Sequence, residues 1–342
     1  MSAVPTKSVV LITGAAGWLG GLLAEALVVD PDSPDVHLIL ADIVEPKAPA
    51  GAHVITLRTD LTIASNVESL FETTYGIPDV VYAMHGIMSR GSEDNFDLGL
   101  KVNVDSVRSL LDAARHRGTS LANGPIKFIF CSSLAVYGGQ LPDVITPDTI
   151  ATPEGAYGAG KLMSELLINE YSRRGFVDGR ILRLPTIVVR PGVPSNATSA
   201  FLSGIIREPL KGLQSICPIG NALESSALEL AAWVASPPTT IRNLVRARHV
   251  PTADLRPHTR VICLPGFTAT VREELDALRA VAGPDAVARV MFKDDPVNRR
   301  IVSSWPAKFD NTYALSLGFF VDEGGMEPIV RSFKENVEAG RA

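Results

Sequence analysis

The sequence predicts a doubly wound α/β fold, a parallel sheet covered by helices on both faces, with a smaller C-terminal lobe. Three observations predict it. Short β-branched runs alternate with helically spaced segments through the first half of the chain. A glycine-rich turn follows the first run. From Pro191 onward, prolines and glycines divide the chain into shorter pieces.

The strand runs are Val9–Thr13, His37–Asp42, His53–Leu57, Val80–Met84 and Lys127–Ser132, with a sixth at Gly179–Val189. They are apolar on both faces, as strands buried between two helical layers must be. Leu19–Val29, Ile63–Tyr75, Leu100–Arg117 and Tyr157–Arg174 have helical spacing. In the second half, Ala227–Trp233, Thr239–Ala247, Val271–Val281 and Glu327–Glu338 read as helices, and Arg260–Leu264 and Ala288–Phe292 as short strands. The chain therefore divides into residues 1–190, a nucleotide-binding unit, and residues 191–342, a mostly separate lobe with room for a strand returning to the main sheet.

Composition narrows the function. The chain has 342 residues, 46% hydrophobic and 20% charged, with net charge −5, so nothing points to a nucleic-acid or anionic-membrane surface. The three cysteines, Cys131, Cys217 and Cys263, are far apart and form no CxxC, so neither a disulfide framework nor a metal site is expected. No apolar run approaches the ~20 residues of a bilayer span. Met1–Lys7 lacks the pattern of a secretion signal. A reducing, cytoplasmic setting fits all of this.

The turn Gly14-Ala15-Ala16-Gly17-Trp18-Leu19-Gly20 joins the first strand to a helix. Gly14 permits the tight turn, Gly17 lets backbone N–H groups approach a pyrophosphate, and Gly20 lets the helix close on the sheet. Asp42 ends the second strand, where a carboxylate accepts both hydroxyls of an adenosine ribose and repels a 2′-phosphate. No Lys or Arg follows it, so NAD is favoured over NADP. Asp60 and Leu61, after the third strand, are candidates to frame the adenine. The fold is thus of the Rossmann type.

Tyr157 and Lys161 are four apart and share a helix face. A phenol with a pKa of about 10 is a poor base at neutral pH, and a nearby ammonium stabilises its phenolate. The fifth strand delivers Ser132 and Ser133 to the same edge. Ser133 is the candidate to hydrogen-bond the reacting oxygen, and Asn103 to orient a water behind Lys161. A carboxylate-bearing substrate needs a cation, for which Arg90 and Arg190 are candidates; Ser89 and Cys217 are candidate walls. His85 is either a substrate contact or a structural ring.

In order and spacing, these motifs, with the stretch Ser132–Gly138, resemble the extended short-chain dehydrogenase/reductases of the NAD-dependent epimerase/dehydratase family. The resemblance implies a Ser–Tyr–Lys mechanism with Asn support, NAD as cofactor, and a homodimer formed through the helices near Asn103 and Tyr157. Asn169–Arg180, Leu182–Gly192, Gly204–Leu210, Ser303–Pro306 and Phe309-Asp310 are similar to the D-erythronate dehydrogenase subgroup, which oxidises a four-carbon sugar acid at C2. By that resemblance Pro185 and Thr186 border the nicotinamide and Arg190 faces the substrate. Met84–Arg90 and Ile219–Trp233 depart from the subgroup pattern. The expected activity is interconversion of a secondary alcohol and a ketone on a small sugar acid. The alternatives are a ketone reductase for bulkier substrates, a sugar epimerase, and a dinucleotide-sensing protein without chemistry.

Overall fold

The computed structural model describes residues 7–51, 53–119, 124–192 and 198–341; the segment Met1–Thr6, part of the leader reading above, lies outside them. Seven parallel strands form the main sheet. They are β1 (Ser8–Thr13), β2 (Val36–Asp42), β3 (His53–Arg58), β4 (Val80–Ala83), β5 (Lys127–Ser133), β6 (Asp178–Leu184) and, after three short strands elsewhere, β10 (Val261–Cys263). Their order is β3-β2-β1-β4-β5-β6-β10. The order reverses between β1 and β4, and a crevice for ligand opens beyond the carboxyl ends at such a switch point.

Helices cover both faces. α1 (Trp18–Val28) lies on one. α2 (Ala64–Ser69) lies on the other, with the run α3 (Ser89–Asp94), α4 (Phe96–Leu100), a π-helical turn at Lys101–Asp105 and α5 (Ser106–Gly118), followed by α6 (Ala156–Arg173). Two cores result. One joins Leu23 and Leu27 of α1 to Val10, Ile12, Leu38 and Leu40, and the other joins Val107, Leu110, Leu111 and Ile168 to Leu11, Ile39, Phe128 and Phe130. Alternate residues of one strand serve opposite cores, which is why these strands have no polar face.

The lobe holds α7 (Ala200–Leu210), β8 (Ser215–Cys217), β9 (Ala231–Ala235), α8 (Pro237–His249), β11 (Phe267–Thr270), α9 (Val271–Ala282), α10 (Pro284–Val287), β12 (Val290–Phe292), α11 (Pro296–Ser303), α12 (Thr312–Ser316) and α13 (Met326–Glu338). Not all of it stands apart. β10 pairs with β6, and α8 packs on α1 and supplies Leu244 and Ala247 to the first core.

Three expectations change. The run Gly179–Val189 is not one strand: β6 ends at Leu184, and after Pro185 the short β7 (Thr186–Ile187) joins β9 in a second sheet. Proline brings no N–H to a ladder, so the chain leaves the sheet there. Ala227–Trp233 is not a helix but a short 3₁₀ turn followed by β9, whose apolar run pairs with β11. A short apolar run does not by itself distinguish helix from strand. Of Ile63–Tyr75, only Ala64–Ser69 is helical.

Candidate active site

The glycine turn has the shape its spacing predicts. Gly14 has φ +74°, and a Cβ there would lie 2.7 Å from the backbone nitrogen of His85. A Cβ on Gly20 would lie 2.4 Å from the Gly14 carbonyl, so α1 packs against the turn only without one. Gly17 is the N-cap of α1 and no side chain caps that helix end. Its N-terminus thus faces the crevice, free to receive a pyrophosphate. Asp42 stands beside the turn: Oδ2 accepts from Ala16 N at 3.0 Å and Oδ1 from Ile43 N at 2.6 Å. These residues fit a dinucleotide.

The crevice opens into a cleft of about 290 Å³. Gly17, Trp18, Leu19 and Gly20 line one end; Ser133, Tyr157, Lys161, Pro185 and Thr186 line its middle; Ser89 and Arg190 are in its walls. Met88, Thr198, Ser199 and Trp305, none of them a candidate site residue above, also line it. They arrive from three separate segments, and no local spacing signals that convergence. A larger groove of about 1210 Å³ runs between α1, α8 and α13, and holds none of the candidate residues.

Tyr157 and Lys161 sit in the first two turns of α6, both buried. Burial pushes the Tyr157 phenol up to about 12, against the pull of the Ser133 hydroxyl and of the Arg190 charge. Burial also pushes the Lys161 ammonium down to about 8. Lys161 Nζ donates to the Cys131 carbonyl at 2.9 Å and stands 5.7 Å from the centre of the Tyr157 ring. Arg190, in the same cleft, brings a second positive charge toward the phenol. Arg190 Nε donates to the Ile187 carbonyl at 3.0 Å and an Nη to Ser199 Oγ at 3.2 Å. The other Nη has no partner among the described residues.

Arg90 and Cys217 lie outside the cleft, and Asp60, Leu61 and Asn103 have partners of their own. Arg90 is on the outer face of α3, paired with Asp94 at 2.8 Å and largely exposed; a pair four apart on a short surface helix satisfies itself locally. Cys217 is fully buried in the lobe core, its Sγ on the Ile219 carbonyl, because β8 turns that side chain away from the cleft. Asp60 spends Oδ1 on the backbone and hydroxyl of Thr62, and Leu61 belongs to the second core. Asn103, in the π-helical turn, clamps Ile87 with its side chain, accepting from N at 2.9 Å and donating to O at 3.0 Å. Its carbonyl accepts from Ser164. The arrangement holds the Gly86–Ile87 loop against Lys161.

His85 resolves into a structural ring. Nδ1 is 2.7 Å from Thr13 Oγ1 and Nε2 is 2.7 Å from Ser106 Oγ. Ser106 gives its own hydrogen to the Val102 carbonyl, so Nε2 carries the proton and Nδ1 accepts. Burial, with the Lys161 charge, drives its pKa down to about 3.

Residues 10–225 match the model of the NAD dependent epimerase/dehydratase family. The chain belongs to that family. It is 40% identical over 329 residues to a D-erythronate dehydrogenase of Haemophilus influenzae, covering 95% of this chain and 98% of that one. It is equally similar to the D-erythronate dehydrogenase of Cupriavidus necator, over 96% and 98% of the two chains. Among solved structures, a nucleoside-diphosphate-sugar epimerase from Agrobacterium tumefaciens is 35% identical with a TM-score of 0.88, covering 98% of this chain and 96% of that one. As a member of the epimerase/dehydratase family with dehydrogenase relatives at this identity, the protein is an NAD-dependent oxidoreductase acting on a small molecule. Among the described residues no helix is long and apolar enough to cross a membrane.

Proposed function

We propose that the protein oxidises the secondary hydroxyl of a small sugar acid of the D-erythronate class to a ketone. The observation that carries this reading is Arg190, a half-buried guanidinium that lines the cleft together with Tyr157. A cation there suits a substrate with a carboxylate beside its reacting carbon. Both dehydrogenase relatives named above act, by name, on such a substrate.

In this reading the Tyr157 oxygen takes the hydroxyl proton and Ser133 hydrogen-bonds the same oxygen. Lys161 and Arg190 hold positive charge near the phenolate as it forms. NAD, when bound, supplies the hydride acceptor. The glycine turn would hold its pyrophosphate, Asp42 the adenosine ribose, Lys161 the second ribose, and Pro185 and Thr186 the nicotinamide edge. Asn103 supports the loop beside Lys161. The oxidation needs the phenol to give up its proton and Lys161 to keep its own, so its rate rises with pH and then falls as the lysine is deprotonated. We further propose a cytoplasmic homodimer. Phe96 and Leu98 of α4, and Met163 and Leu166 of α6, are exposed apolar residues near the helices expected to pair, and all three cysteines are free.

The test is a screen of four-carbon sugar acids, neutral polyols and nucleotide sugars, with NAD and NADP, followed by NADH absorbance and by product analysis. Net NADH from sugar acids, with NADP far poorer, is expected. Interconversion of nucleotide sugars without net NADH would replace this reading with the epimerase one, which the Agrobacterium structure favours by name. Comparable rates with NADP would overturn the role given to Asp42.

A further inference from the structure

Lys161 is an ammonium only 3% exposed, and its hydrogen bond goes to an uncharged carbonyl. Behind it lies a cluster of buried charge that the steps above do not use. Glu165 follows Lys161 by one helical turn on the same face of α6 and is 1% exposed. Its Oε1 accepts from Ser132 Oγ and from Arg183 Nε at 3.0 Å, and its Oε2 accepts from an Nη of Arg183. Arg183, on β6, gives its other Nη to the Tyr137 hydroxyl at 2.6 Å. Each member of the network is thereby fixed in place. Stability is a poor reason for such a pair, since apolar residues of the same volume are often as good or better.

We propose that Glu165, locked by Arg183, is a positioning residue for the dehydrogenase site. Its negative charge keeps Lys161 an ammonium in the helix–sheet interface, and its hold on Ser132 fixes the strand end that presents Ser133 to Tyr157. The proposal rests on the reading above insofar as Tyr157 and Lys161 carry the proton chemistry.

The surroundings of Lys161 single Glu165 out. Tyr157 lies one turn earlier on α6 as a neutral phenol. The Cys131 thiol on β5 is held up at about 12 and His85, from the loop after β4, down at about 3, so both are uncharged at neutral pH. Asn103 and Gly86 contribute no charge, and Arg190 acts on the phenol. Cys131 and, after it, Glu165 oppose the burial of Lys161, and of these two only the Glu165 carboxylate is charged at neutral pH. Ser132 and Ser133 are successive strand residues, so their side chains leave opposite faces. Anchoring one aims the other.

The experiment uses the full chain carrying Glu165→Gln. Two readouts are taken: the pH profile of kcat, and the pH dependence of NADH affinity followed by fluorescence without substrate. The alkaline limb, set by loss of the Lys161 proton, is expected to move down by about one pH unit. kcat should change more than KM, and NADH affinity should fail at the same lower pH. Glu165→Asp, which restores the charge, should return the limb toward its wild-type position. If Glu165→Gln does not fold because Arg183 is left unpaired, the double variant Glu165→Gln/Arg183→Leu removes both charges and should shift the limb in the same direction by less, since the lost Arg183 cation partly offsets the lost carboxylate. A folded variant whose limb stays at the wild-type pH, with activity merely scaled, overturns the proposal. If wild type oxidises no sugar acid, the substrate reading falls, while the NADH titration still decides the role of Glu165.

Discussion

The two walls of the cleft are built differently. One wall is regular structure: the glycine turn at the end of β1, Ser133 at the end of β5, and Tyr157 and Lys161 on one face of α6. The other wall is made of returning loops, with Arg190, Thr198, Ser199 and Trp305 brought together from distant segments. In the proposed reading the first wall binds NAD and moves the proton, and the second meets the substrate. Chemistry would then sit on strands and helices, which hold geometry tightly, and selectivity on loops.

The sharpest way to break this division is at Tyr157. Tyr157→Phe removes only the hydroxyl and keeps the ring in the helix–sheet packing. Turnover should fall by about 10²–10⁴-fold, the usual worth of a general acid–base. NADH binding should stay near the wild-type level, because the glycine turn and Asp42 are untouched. Single-turnover rates and a fluorescence titration check the two halves. A variant that keeps its turnover would remove the proton-transfer role from the first wall.

The next test compares the two arginines. Arg190→Ala removes a half-buried cation from the second wall and should raise KM for sugar acids by about 10–100-fold, the loss of a charged hydrogen bond. The effect on neutral polyols should be much smaller. Arg90→Ala removes an exposed residue paired with Asp94 outside the cleft, and should leave both KM and Tm unchanged. Equal effects of Arg190→Ala on acids and polyols would count against a carboxylate at that position.

The same contrast explains what the sequence disclosed. The placement of Gly14, Gly17, Gly20, Asp42, Tyr157 and Lys161 was legible because it follows from local spacing: a turn, a strand end, one helix face. Arg190 was legible through resemblance, and the structure places it in the cleft with Tyr157 and Lys161. Arg90 and Cys217 misled because proximity along the chain says nothing about which way a side chain points. Glu165 and Arg183 carry no motif. They lie 18 positions apart, on α6 and β6, and only the sheet–helix packing makes them one buried pair. Trp305 reaches the cleft from near the C-terminal end of the chain, a long-range return that periodicity does not encode.

The smallest expected effect concerns the buttress of the first wall. His85 ties Thr13 of β1 to Ser106 of α5, and its backbone closes against Gly14. Its pKa in the folded chain, about 3, lies below the ordinary 6.5. The folded form therefore binds fewer protons at this site than the unfolded chain does. The stability this provides is fully present above about pH 6.5 and is lost as pH falls toward about 3. Protonation would also put a second cation near Lys161 and turn Nδ1 into a donor, leaving the Thr13 hydroxyl only the longer bond to the Tyr82 carbonyl at 3.3 Å. His85→Gln has no such titration, so its Tm should decline less than that of wild type between about pH 7 and 4, by a few degrees. Thermal unfolding across that range measures it. Parallel Tm curves for the two proteins would mean that the ring is not held neutral by its place under the glycine turn.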